Sequence, residues 1–374
     1  MSLIYNRRVR KLLDLLKEKE LDGVIIMDSS TIFYFTGTDA PQAFILGVDQ
    51  QEPILLSSLL EFYRTRDEKH IGNVYGFSRD SSFVDKFENI FIGDFNKSVS
   101  KIIKKSIGES KKIGLVAKNI SCSSYNKLKE ALGFEPVNLW EDISYMRTIK
   151  DEYEISLLKK SINITERVLE KTIEYLKTGI TEAEIVGFIQ NEFRKNNSLD
   201  AFFPIVAFGE HSKHPHAVPS LRKLRRGDLV KIDIGARHMG YCADITRTFV
   251  YGHASEKQRR LISIVLEAQE NAISSIVDSM KASMIDLTAR DIFRKYGLAE
   301  FFIHSLGHGV GVDVHESPYI ASTSKDIIVN GMVFTIEPGL YIDGFGGIRI
   351  EDMIYVKYGK PIPLTSFKKV IEID

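Results

Sequence analysis

The stretch KIDIGARHMGYCADITRT, residues 231–248, reads as two strands around a turn. Asp233 alternates with Ile232 and Ile234, the segment from Gly235 to Gly240 turns the chain, and Asp244 leads into a second apolar run. An antiparallel return lets Asp233 and Asp244 face each other across a strand pair. Facing carboxylates repel, so the pair needs cations or a shared proton. Taken alone, a solvated hairpin face is the plain alternative. Cys242, two residues before Asp244, lies on the same side of its strand and reads as a small packing residue, not a ligand or nucleophile.

Helical patterns lie on both sides of this hairpin. Two are expected at about 152–177 and 181–195, the second opening with the capping box Thr181-Glu-Ala-Glu184. Further helices are expected between about 255 and 296, followed by strands. Strands with interleaved helices give an α+β domain over residues 143–374. Residues 1–142 alternate helices with the strand-like runs GVIIMD, QAFILG, PILLSS, NVYGFS and KIGLV, and Ser121 is a plausible N-cap. They form a smaller α/β domain with no phosphate-binding loop. Of nine histidines only His70 falls there, and the other eight lie beyond residue 200, which places the chemistry in the second domain.

Three more candidate ligands follow the hairpin. His308 sits in SLGHGVG, Glu337 in FTIEPGLY and Glu351 in GGIRIED. A carboxylate between Ile336 and Pro338 is costly to bury unless it coordinates something. Asp352 faces away from Glu351 by strand alternation and reads as structural. Glycines around His308 admit close backbone approach. A dinucleotide fingerprint fails there, because its third glycine position is Val312. Four carboxylates and one imidazole make a hard, oxygen-rich site, which suits a pair of divalent cations better than a structural zinc. Paired cations activate water and clamp the oxygens of a hydrolytic transition state.

Composition narrows the alternatives. At 374 residues two domains are expected, and with Lys+Arg and Asp+Glu both 50 no basic footprint points to nucleic acid. No apolar run approaches the ~20 residues of a membrane span. The charged amphipathic start is unlike a secretory signal, and two distant cysteines exclude a disulfide framework, so a cytoplasmic protein is expected.

The five contexts, with Pro215-His216-Ala217 upstream and Val314-His315-Glu316 downstream, resemble the pita-bread metallopeptidases of the creatinase/aminopeptidase type. Within that group the similarity is to the Xaa-Pro branch, prolidase and aminopeptidase P. The resemblance implies a pita-bread catalytic domain and two divalent metal ions per chain, Mn²⁺ or Co²⁺ foremost, with Zn²⁺ or Fe²⁺ as alternatives. It implies that Asp233 chelates one metal, Asp244 and Glu351 bridge both, and His308 with Glu337 completes the second. A metal-bridging hydroxide is the implied nucleophile, and Glu337 its proton acceptor. His216 and His315 match family histidines that hold substrate and stabilise the oxyanion; without the match His216 reads as an ordinary loop residue. His304 takes a supporting role, and His211, His214, His238 and His253 are expected at the surface. The resemblance also implies a homodimer.

One departure bears on specificity. Prolidases that cut dipeptides carry an arginine after the His-Glu-x-Pro stretch, where it binds the substrate carboxylate. Here His315-Glu316-Ser317-Pro318 is followed by Tyr319, which has no permanent cation. Arg349 is a second candidate for the substrate cleft, or else a balance to the acidic site. The expected activity is therefore Xaa-Pro aminopeptidase action on short peptides with proline second, without membrane or nucleic-acid partners. The alternatives are a strict Xaa-Pro dipeptidase, a methionine aminopeptidase, which shares the ligands but lacks a full N-terminal domain, and a non-catalytic binding module on the same fold. A creatinase-like C–N hydrolase fits less well, because that activity does not use these metals.

Overall fold

The computed structural model describes residues 2–83, 86, 89–108 and 112–374, in two compact units, Met1–Ser144 and Tyr145–Asp374. The chain passes from one to the other within the helix Trp140–Thr148.

The N-terminal unit opens with the helix Ser2–Glu18, which buries Tyr5, Val9, Leu12 and Leu16 at three- and four-residue spacing. Its strands are β1 (Gly23–Ile26), β2 (Ala43–Gly47), β3 (Ile54–Ser58), β4 (Asn73–Ser78), β5 (Ile90–Ile92), β6 (Ile113–Val116) and β7 (Val137–Asn138). They form one mixed sheet in the order β5-β4-β3-β2-β1-β6-β7. The five apolar runs read from the sequence are β1 to β4 and β6; β1, β2, β3 and β6 are nearly all buried, and β4, next to the edge strand β5, is half open. Ser121 caps Cys122–Leu132 by accepting from the Ser124 N–H at 3.1 Å.

The C-terminal unit builds the same device twice. The helices Glu152–Tyr175 and Glu182–Lys195 precede β8 (Leu199–Asp200), β9 (Ile205–Phe208), β10 (Leu229–Ile234), β11 (Ala236–His238), β12 (Tyr241–Cys242) and β13 (Ile245–Tyr251). The helices Glu256–Ser275 and Ala282–Lys295 precede β14 (Gly307–Gly309), β15 (Glu316–Ile320), β16 (Val333–Ile336), β17 (Gly339–Ile342), β18 (Gly346–Arg349), β19 (Asp352–Lys357), β20 (Lys360–Pro363) and β21 (Glu372–Ile373). Capping boxes start the first helix of each pair, Asp151 with Glu154 and Ser255 with Gln258. The residue before each second helix makes an isolated antiparallel bridge, Thr181 to Lys223 and Lys281 to Ile327. This correspondence marks two structural repeats offset by about 100 residues.

Each helix pair packs on its own sheet, β21-β13-β10-β9 or β15-β14-β16-β19-β20. Phe193 anchors the first core and Phe293 the second, both fully buried. The halves are stitched where β13 meets β18: the Arg349 N–H donates to Thr248 Oγ1 at 3.1 Å, and that hydroxyl donates to the Arg349 carbonyl at 2.9 Å. The Glu351 N–H donates to the Thr246 carbonyl at 3.1 Å. These contacts bring carboxylates from distant parts of the chain to one place.

Replacing Phe193 or Phe293 by alanine is expected to cost about 3–5 kcal/mol, and Thr181→Ala about 1 kcal/mol. Urea denaturation followed by a probe in the C-terminal unit checks the ranking.

Candidate metal centre

β10 and β13 pair antiparallel with Asp233 opposite Thr246 and Ile234 opposite Ile245. Asp244 comes just before β13, so it lies on the same face as Asp233 but two residues along. The two carboxylates are diagonal neighbours rather than directly opposed, because the turn between them contains the short hairpin β11–β12, which pairs with β8 in a separate sheet. Cys242 is buried among these strands, its thiol 3.5 Å from the Val312 carbonyl and pushed up to about 12 by burial, so it packs and does not react.

The second half supplies the other three residues. His308 is central in β14, where added side-chain carbons at Gly307 and Gly309 would lie 1.9 Å from the Thr335 carbonyl oxygen and 2.2 Å from that of Ser317. Those glycines let backbones meet; they do not cradle phosphate. Glu337 follows β16, and Glu351 sits between β18 and β19. Strand alternation turns the next residue, Asp352, away to a buried pair with Arg247 at 2.7 Å and with Lys369 at 2.7 Å.

Ligand atoms of Asp244, His308 and Glu351 all lie within 4.8 Å of one another, and all three residues are buried. His308 Nε2 is 3.2 Å from Glu337 Oε1 and 3.7 Å from Asp244 Oδ2. Its Nδ1 lies 3.2 Å from the Gly309 carbonyl, which orients the ring with Nε2 facing the carboxylates. Thr335 Oγ1 donates to Glu337 at 3.1 Å and Thr246 Oγ1 to Glu351 at 2.7 Å. Asp233 Oδ2 pairs with Arg349.

This is a crowded anionic cluster. Burial, then the neighbouring Glu351 and Asp233, pushes the Asp244 carboxyl well above its ordinary range. Burial and Glu337 do the same to Glu351. Burial also pushes Glu337 up, but its hydrogen bond to His308 and the nearby positive charges outweigh that and hold it at about 2. One guanidinium among four carboxylates leaves charge uncompensated, and Asp233 Oδ1 is buried without a hydrogen-bond partner. Hard divalent cations fit such a donor set: they would use the orphaned oxygen and relieve the repulsion.

The two cleft histidines are exposed beside this cluster. The His315 ring packs edge-on to His308 with centroids 4.2 Å apart. Its neighbour Glu316 is buried and accepts from Arg147 at 2.7 Å and Lys150 at 2.5 Å. His216 follows Pro215, whose carbonyl accepts from Arg349 Nη1 at 3.1 Å. Tyr319 pairs with His308 across β14–β15 and is 46% exposed.

Arg349 is placed as the counter-ion of the cluster, not as an open substrate cation. It is buried, with donors to Asp233, Thr246 Oγ1 (3.1 Å), the Pro215 carbonyl and the Tyr341 hydroxyl (2.8 Å). His304 Nε2 meets the same tyrosine hydroxyl at 2.9 Å, and burial lowers the imidazole to about 4. His211, expected at the surface, is instead partly enclosed, with Nδ1 2.9 Å from the fully buried Glu182 carboxylate. Tyr341, Thr246 and Thr335 complete the site and were not singled out from sequence. Thr246 was readable, since it lies two residues past Asp244 on the same strand face.

Paired half-sheets around a buried carboxylate–imidazole cluster define a metal-dependent hydrolase with a pita-bread catalytic unit. Residues 156–358 match the model of metallopeptidase family M24, and residues 8–149 that of the creatinase/prolidase N-terminal domain. The chain belongs to metallopeptidase family M24 and is a metallo-exopeptidase. It is 33% identical over 368 residues to an Xaa-Pro dipeptidase of Pyrococcus horikoshii, covering 98% of this chain and 99% of that one. An Xaa-Pro dipeptidase structure from Bacillus anthracis superposes with a TM-score of 0.87 at 28% identity, covering 100% of both chains. An X-Pro aminopeptidase structure from Thermotoga maritima gives a TM-score of 0.81 at 31% identity, covering 95% of this chain and 98% of that one. Among the described residues no helix is long and apolar enough to cross a membrane.

The raised carboxyls set a pH signature for chelator-treated protein. A carboxyl raised in the fold stabilises it fully below its unfolded value near 4, and this contribution is lost as pH rises through the folded value. The thermal midpoint in chelator is expected to fall as pH rises above the unfolded carboxylate range, and Asp244→Asn to flatten that fall. Adding Mn²⁺ at 100 times its Kd should restore about 2.7 kcal/mol to the native protein and little to the variant. A midpoint indifferent to both pH and cation would sink the metal-centre reading.

Proposed function

We propose that the chain is an Xaa-Pro dipeptidase that binds two divalent cations through Asp233, Asp244, His308, Glu337 and Glu351. The observation that carries this reading is the buried donor group Asp244, His308 and Glu351, with an unpartnered Asp233 oxygen nearby, in a chain similar over nearly its full length to proteins named Xaa-Pro dipeptidase. Mn²⁺ or Co²⁺ is the proposed metal, by the hardness of the donors.

When bound, the cations polarise the scissile carbonyl and lower the pKa of a water molecule. The protein's own groups do the rest. Glu337, whose Oε1 accepts from Thr335 Oγ1, would take the proton of the attacking water and hand it to the departing proline nitrogen. His216 and His315, exposed beside the cluster, donate to the carbonyl oxygen as it becomes tetrahedral. Arg349 and Tyr341 keep Asp233 and the His304 imidazole in place without leaving the interior.

Tyr319 supports a second reading, action on longer Xaa-Pro peptides. A neutral phenol opposite His308 accepts hydrogen bonds from, or packs against, a continuing chain, and offers a free carboxylate no charge. Similarity to the Thermotoga maritima X-Pro aminopeptidase is in keeping with it.

Xaa-Pro dipeptides are expected to be hydrolysed with Mn²⁺ or Co²⁺ and untouched after chelation. His315→Ala should lower kcat by about 10²–10³, as loss of an oxyanion donor does. Faster turnover of Xaa-Pro-Xaa tripeptides than of dipeptides would select the aminopeptidase reading, and preferential cleavage of Met-Ala-Ser would overturn both. Tyr319→Arg is expected to improve kcat/KM for dipeptides over tripeptides by about tenfold, the worth of one charge-assisted hydrogen bond.

A further inference from the structure

We propose that Lys231 is a positioning residue for His216, fixing the loop that presents this histidine to substrate. The inference rests on the assignment of His216 made above.

Lys231 lies mid-strand in β10, two residues from Asp233 and on the same face. Its side chain is wholly buried, a placement that is costly unless every donor is used. Nζ donates to the Ser212 carbonyl at 2.8 Å and the His214 carbonyl at 2.6 Å, and reaches the Pro215 carbonyl at 3.4 Å. The three N–H bonds of one ammonium thus go to three carbonyls within the four residues preceding His216. The ammonium also lies 5.1 Å from the centre of the Tyr341 ring.

Arg349 grips the same segment at Pro215 while pairing with Asp233. Lys231 on β10 and Arg349 on β18 thus tie the His216 loop to the strands that carry Asp233 and lead to Glu351. The ends of the loop have separate anchors. Buried Glu182 accepts from the Phe208 N–H at 2.8 Å, the Ser220 N–H at 2.8 Å and Ser220 Oγ at 2.6 Å. Ser212 Oγ accepts from the Gly347 N–H at 2.7 Å. Removing the Lys231 ammonium leaves those end anchors and the Arg349 bond to Pro215 intact, and releases the Ser212 and His214 carbonyls just before exposed His216.

The test is a double-mutant cycle of Lys231→Met and His216→Ala, reading kcat, KM and calorimetric Mn²⁺ affinity. Lys231→Met is expected to lower kcat by about a hundredfold, the size of an ångström-scale misplacement, with Mn²⁺ affinity unchanged. In the His216→Ala background the same change should have little further effect, because its target is gone. Lys231→Gln carries the same cycle if the methionine variant does not fold. A wild-type kcat, a loss that multiplies fully in the double variant, or a loss traced to weaker Mn²⁺ binding each overturns the proposal and leaves the His216 assignment standing. An undiminished kcat in His216→Ala overturns both.

Discussion

Burying Asp233, Asp244 and Glu351 in one interior, with partly buried Glu337 against His308, is the constraint on which the rest of the C-terminal unit depends. Each ion taken from water costs several kcal/mol even after relaxation, and the four repel one another. The fold offsets this with one buried guanidinium, Arg349, one imidazole, His308, and the hydroxyls of Thr246 and Thr335. Burial first, and then repulsion that this positive charge does not cancel, holds Asp244 and Glu351 well above the ordinary carboxylate range. A cation site is made by leaving this compensation incomplete.

Arg349 links that electrostatic device to substrate handling. Its donors reach Asp233 from the first half-sheet, the carbonyl before His216, and Tyr341, which in turn meets His304. A change in any of these groups alters the others, since the guanidinium has a fixed fork. Behind the cluster, Arg247 with Asp352 forms a second buried pair on the opposite strand face. The alternation of Glu351 and Asp352 separates the metal-facing charge from the structural one by a single residue.

Much of the centre was legible because coordination demands residue types that are expensive in apolar strands. Asp233, Asp244, Glu337 and Glu351 each interrupt β-branched or apolar runs, and His308 is bracketed by glycines that only close backbone approach requires. His211 was misread because its partner, Glu182, is 29 residues away at the start of a helix, and nothing local signals a buried carboxylate there. The role of Arg349 stayed open for a similar reason: an arginine in a strand looks the same whether it meets substrate or counter-charge.

By itself the sequence determined the strand and helix periodicities, the caps at Ser121 and Thr181, and the residue types of the donor set, since these depend on neighbours within a few positions. Only the tertiary structure decided that Asp233 and Asp244 are diagonal and not opposed, that Arg349 faces inward, and that Lys231 holds the His216 loop. Those outcomes rest on register, on an inserted hairpin and on contacts between chain segments up to 134 residues apart. Such contacts are set by how two half-sheets close over a buried charge, and no local pattern encodes that distance.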